Sequence, residues 1–172
     1  MGMIQALAIS IGVLGGVATF LFLGPAGGLG LQIWAAFIAW ACFFHCGGKE
    51  AGLSKTIIHN IFGSVMAWLA LVVTTQLLAG ALGVPLAAGI AVGVTIVILV
   101  LAASNPMLSD IPATVFGYAP VAGLYLLGEQ SKHQALLSAS LENPLVNIVV
   151  SMVVGAIFAY VSEKGAGALA KK

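Results

Sequence analysis

Of the 172 residues, 61% are hydrophobic, eleven carry a formal charge, none is Arg, and the net charge is +1. A water-soluble domain places about a quarter of its residues as charges, so an ordinary soluble fold is excluded. The lack of a basic cluster argues against nucleic-acid binding. Hydrocarbon about 30 Å thick needs about 20 apolar residues per helical span, and six runs of that character follow one another.

The first run, Met3–Leu23, has no basic segment before it and exceeds the apolar core of a secretion signal. Gly24-Pro25-Ala26-Gly27-Gly28 then forms a turn. It reads as a retained helix, with Gly12 and Gly16 available for close packing.

The second run, Gly30–Cys46, carries aromatics Phe37, Trp40 and Phe44 on one helical stripe, preceded by Trp34. Such a stripe is usually a packing or lipid-facing surface. Together with Phe116 it is alternatively an apolar constriction that admits small uncharged solutes. Cys42 and Cys46 lie four apart on one helix and are expected to be free thiols. With His45 they offer soft donors at helical spacing, an alternative metal-handling reading, although carboxylates for a metal path are missing.

The third run, Ile57–Ala79, starts near His59 and aligns Asn60, Ser64, Ala67, Leu71 and Thr74 on one face. Polar side chains in hydrocarbon are unfavourable unless partnered. Asn60 and Ser64 therefore either bond a neighbouring helix or line a solute pathway. The fourth run, Pro85–Ala103, carries Gly89 and Gly93. In the fifth, Ile111–Leu127, Asp110 and Pro112 suit a helix start. Pro120 removes a backbone donor and is expected to kink the span, leaving Phe116, Gly117, Tyr118 and Ala119 beside a path. The stretch Glu129–Glu142 reads as an interfacial helix or a partner contact. The sixth run, Leu145–Val161, places Asn147 and Ser151 on one face.

With six spans and a cytoplasmic start, Lys49, Lys55, Lys164, Lys171 and Lys172 lie inside and Lys132 outside, as the positive-inside rule expects. The fold class is thus an all-α integral membrane protein, 1–172 as one membrane domain, both termini cytoplasmic. Asn-Ile-x-x-Ser recurs at Asn60 and Asn147, an offset of 87, and Gly-x-x-x-Gly recurs in the first and fourth runs. These suggest a 3+3 inverted repeat with halves 1–82 and 83–172.

No paired intramembrane carboxylates, nucleophile elbow or phosphate loop appears, so no enzyme and no cofactor is expected. The expected function is a channel or transporter for a small polar solute: urea, a short amide, ammonia or a short carboxylic acid. Its pathway would use Asn60, Ser64, Asn147, Ser151, Phe37, Trp40, Phe116, Gly117, Tyr118 and Pro120, with His45 and His59 as candidates for a proton-linked step. Partners are the bilayer, the solute and further copies of the chain. A scaffold subunit that transports nothing is the remaining alternative.

Trp34-x-x-Phe37-x-x-Trp40-x-x-Phe43-Phe44, then Gly47-Gly48, and later Pro112-x-x-x-Phe116-Gly117-Tyr118-Ala119 resemble a family of small bacterial inner-membrane proteins known as domain of unknown function 1097. Asn60 at the opening of the third run adds to the likeness. The resemblance covers nearly the whole chain. It implies a polytopic inner-membrane protein and no particular activity.

Overall fold

A computed structural model describes residues 1–127 and 135–170. Within them the chain is all-helical: α1 (Met3–Leu23), α2 (Ile33–His45), α3 (Lys49–Val72), a π-helical turn (Val73–Leu78), α4 (Ala79–Leu82), α5 (Val84–Ala102), α6 (Ile111–Leu127) and α7 (Pro144–Ala170). Four rods are long and apolar enough to cross a membrane: Met3–Leu23, Lys49–Leu82, Val84–Ala102 and Pro144–Ala170.

The expected second span is shorter than its apolar run. Gly30 takes a left-handed φ of 66° and ends a 3-10 turn, Gln32 is extended, and α2 holds 13 residues. At 1.5 Å per residue that is about 20 Å, less than the hydrocarbon thickness. The third span is longer than expected. Lys49 to Leu82 forms one 34-residue rod, about 51 Å by the same rise. It stops at Gly83, whose φ of 74° and ψ of 154° suit glycine. Pro120 is accommodated inside a continuous α6.

Two compact units divide the chain, residues 1–57 with 150–172 and residues 58–149. The division does not follow the sequence halves, because α3 and α7 each run from one unit into the other. In the first unit Trp40 stacks between Phe37 and Phe158, at centroid distances of 6.0 and 6.1 Å. Ala18, Phe43 and Ala159 complete that core. At one end Glu50 accepts hydrogen bonds from Lys164 Nζ (2.7 Å) and Tyr160 Oη (2.8 Å). The Glu163 carboxylate receives the Lys49 N–H at 2.7 Å, a favourable place for negative charge at the start of α3. Gly48, at φ 67°, leaves the space that carboxylate occupies.

The two units share an internal arrangement. In the first, the N–H of Gln32, at the cap of α2, donates to Ser151 Oγ (2.9 Å), and Gly155, four residues on, packs against the Ala36 carbonyl. In the second, the N–H of Asp110, at the cap of α6, donates to His59 Nε2 (3.1 Å), and Gly63, four residues on, packs against the Thr114 carbonyl. This match pairs Gly63 with Gly155, 92 residues apart, whereas the two Asn-Ile-x-x-Ser strings lie 87 apart. A five-residue slip turns a helix by about 140°, so Asn60 and Asn147 occupy different faces in the matched arrangement.

A Cβ at Gly63 or Gly155 would overlap a backbone carbonyl, whereas Gly12 has open space around it. Gly63→Ala and Gly155→Ala should each lower stability by about 2 kcal/mol or more. Gly12→Ala should be neutral or stabilise by up to about 1 kcal/mol. Thermal unfolding of the three variants in detergent checks the contrast, and equal melting temperatures would refute the close-crossing account.

Candidate functional site

The second unit brings several of the expected residues together. Ser64 Oγ donates to the Gly117 carbonyl at 3.0 Å, and Gly117 lies directly on the backbone of Asn60. Neither atom of the Asn60 side-chain amide has a hydrogen-bond partner, although the residue is only 4% exposed. Burying an amide unpaired is unfavourable by about 1–3 kcal/mol in proteins. Glycine at 117 is what lets α3 and α6 approach so closely, and Pro120 is fully buried on the same helix.

The other expected residues occupy different settings. Asn147 Nδ2 donates to the Leu141 carbonyl (2.9 Å), so this amide ties the segment before α7 to its first turn. Asn143 caps the same helix: its Oδ1 accepts from the Leu145 N–H at 2.9 Å, and its Nδ2 holds the Leu136 and Ser138 carbonyls. Ser151 serves the first unit through Gln32. Phe37 is exposed and Trp40 buried within the first unit, while Phe116 is half-buried in the second. Trp40 Nε1 and Thr56 Oγ1, both in the first unit, are buried without partners.

His59 is buried, and because its Nε2 accepts from the Asp110 amide, that nitrogen carries no proton. Asp110 caps α6 as expected, its Oδ1 taking the Ala113 N–H at 3.0 Å. His45 is exposed on the last turn of α2. Cys42 and Cys46 are thiols, not joined in a disulfide, with sulfurs 4.0 Å apart. Among the described residues no three His, Cys, Asp or Glu side chains gather as a metal would require, so Cys42, His45 and Cys46 do not form such a centre. Residues 129–134 of the expected Glu129–Glu142 segment, Lys132 among them, and Lys171 and Lys172 lie outside the described residues. Beyond a 3-10 residue at Ala135, the described part of that segment consists mainly of turns and bends. Its Leu136 is buried and accepts from Trp68 Nε1 at 2.8 Å.

A feature that no sequence signal marked lies on the same unit. Around the π-helical turn, α3, α5 and α6 enclose a cavity of about 280 Å³. Thr74 Oγ1 donates to the Ala70 carbonyl (2.7 Å) and Thr75 Oγ1 to the Leu71 carbonyl (2.9 Å). These hydroxyls compete for carbonyls that the helix would otherwise use, and the Ala79 N–H bonds Thr74, five residues back. Paired β-branched threonines were the one available cue, and π turns favour functional sites. Alanines form much of the wall, and Tyr118 and Tyr125 approach it from α6.

These features describe an all-helical chain with spans suited to a membrane, holding a buried unpaired amide and a small cavity in one unit. The chain belongs to the family described as "Protein of unknown function (DUF1097)", whose model matches residues 8–167. Neither a curated protein nor a solved structure matches it.

Asn60→Leu removes an unpaired buried amide at nearly constant volume and should stabilise the protein by about 1–3 kcal/mol. Asn147→Leu, which strips the Leu141 carbonyl of its donor, should destabilise by about 1 kcal/mol. Melting temperatures in one detergent give the comparison, and a destabilised Asn60→Leu would show that the amide has a structural partner.

Proposed function

We propose that this chain is a multi-pass protein of the bacterial inner membrane, with both termini cytoplasmic, that passes or carries a small polar solute of the urea, short amide, ammonia or short carboxylic acid class. Asn60 carries the reading. An amide held buried without a partner costs stability, and such costs persist where a ligand supplies the missing bonds. Its nitrogen donates and its oxygen accepts, so it matches a solute that does both. Ser64 has given its proton to Gly117, which leaves its oxygen as an acceptor one turn further along α3.

Only eleven formal charges occur in the whole chain, which favours passive or weakly coupled passage over an ion-driven pump, with His59 beside Asn60 as the candidate for a proton-linked step. Three main helices in each sequence half, with the matched contacts of the two units, support descent from an inverted duplication. The metal-handling alternative finds no convergent donors among the described residues.

A homo-oligomer fits the outer surfaces. Gly12, Gly16, Gly89 and Gly93 have nothing within 4 Å of a Cβ position. Exposed apolar residues accompany them, Ile9, Val13 and Phe20 on α1 and Ile90, Val94 and Val97 on α5. Small residues that pack nothing within their own chain suit close approach of a second copy. Gly12→Ile combined with Gly16→Ile should lower the detergent-corrected mass in size-exclusion light scattering, and an unchanged mass would remove α1 from the interface.

Stopped-flow light scattering of proteoliposomes under urea, acetamide, glycerol and formate gradients tests the passage itself. The wild type should accelerate equilibration of at least one solute, and Asn60→Leu should lower that rate about tenfold or more. Folded, inserted protein that accelerates none of them would favour a scaffold role.

A further inference from the structure

The hydroxyl groups around the cavity share a property that follows from where their protons go. Thr74 and Thr75 donate to the carbonyls of Ala70 and Leu71. Thr95 donates to the Ala91 carbonyl at 2.9 Å, with the Val92 carbonyl at 3.1 Å. A threonine hydroxyl has one proton, so in the 3.0 Å contact between Thr95 Oγ1 and Tyr118 Oη the tyrosine must be the donor. Tyr125 is hydrogen-bonded to Thr75, and because Thr75 has already donated to Leu71, the Tyr125 proton is the one shared.

Every hydroxyl that lines the cavity has thus committed its proton to the protein. What remains towards a guest is acceptor capacity, on Tyr118 Oη and Thr74 Oγ1 in particular. Around these oxygens the wall is apolar, with Ala67, Ala70, Ala88 and Ala122 among its residues. Among the described residues no carboxylate, lysine or histidine lines it, so neither an anion nor a bare cation would find compensation there.

We propose that this cavity is a binding site for a small neutral amphiphile, an apolar body with one hydrogen-bond donor, of the phenol or short-alcohol type. Size agrees. An apolar cavity of about 150 Å³ holds benzene, so about 280 Å³ accommodates a ring with its substituent. Access agrees as well, since Val84 and Leu126 on its lining are exposed, at 59% and 65%. The π turn widens α3 where the cavity lies, and reverting it to α-helix would shift Thr74 and Thr75 relative to α6. The site stands apart from the Asn60 amide, and it does not depend on passage of solute across a membrane.

The test is equilibrium dialysis of phenol against anisole, which has the same ring and no donor. The protein is held in lipid nanodiscs, and empty nanodiscs give the lipid uptake to subtract. Phenol should show a saturable component of about one site per chain, at least about tenfold tighter than anisole. Ala88→Leu, on α5, and Ala122→Leu, on α6, should each abolish it by filling the space, so one suffices if the other fails to fold. Tyr118→Phe should retain binding of the ring and lower the phenol-to-anisole ratio several-fold, with Thr74 Oγ1 left as an acceptor. Equal binding of phenol and anisole to the wild type would overturn the acceptor argument. A saturable component that survives both filling variants, or none above empty nanodiscs, would overturn the site.

Discussion

Close crossing of helix backbones is the constraint on which the rest of this structure depends. Lipid tails are as apolar as leucine, so helices in a membrane gain nothing from hiding side chains from one another. They associate through contact, and contact is best where no Cβ intervenes. Gly63 on the Thr114 carbonyl and Gly117 on Asn60 do this in the second unit, and Gly155 on the Ala36 carbonyl does it in the first. Each crossing sits a short way inside the N-cap of α2 or α6. The cap N–H, at Gln32 or Asp110, is taken by a side chain of the crossing helix. Backbone donors that have no water to turn to are thereby satisfied by the same helix that makes the contact.

That arrangement explains the placement of the polar residues. His59, Ser64 and Ser151 lie at crossings and spend their hydrogen bonds on neighbouring backbone, and Asn143 and Asn147 secure the approach to α7. Against this background Asn60 stands out. It sits within the crossing of α3 and α6, where bonds would be simplest to make, and its amide makes none. A buried amide that leaves both its donor and its acceptor unused at a close helix crossing is where a functional demand is most economically inferred.

Much of the architecture was legible in the sequence because hydrocarbon demands long apolar runs. The limits of α1, α5 and α6 fall within a residue of those runs. Where the sequence misled, the causes are local. Gly30 and Gln32 hold the start of α2 back, so an apolar run became a 13-residue helix. At the other extreme, α3 starts at Lys49, because Glu163 caps it from α7, a contact that no local signal announces. The two Asn-Ile-x-x-Ser strings do not coincide with the matched contacts, because three residues join α2 to α3 while sixteen join α6 to α7. An offset taken from side-chain strings then falls between the two that contacts define, 78 for α2 with α6 and 92 for α3 with α7.

The cavity was illegible for a different reason. Its walls are mostly alanine, valine, leucine and threonine, residues that are common in membrane helices and signal nothing by type. Its character comes from the direction of hydrogen bonds, which only geometry reveals. Thr74 and Thr75 turn their protons back onto the helix and open it into a π turn, and the tyrosines of α6 follow by donating to threonines already spent. A surface with four hydroxyl-bearing residues thus loses its donors without losing its polarity. The amide of Asn60 offers both donor and acceptor, and the cavity offers acceptors alone. The second unit therefore presents two chemically distinct polar settings, and a solute that satisfies one is not the solute that best satisfies the other.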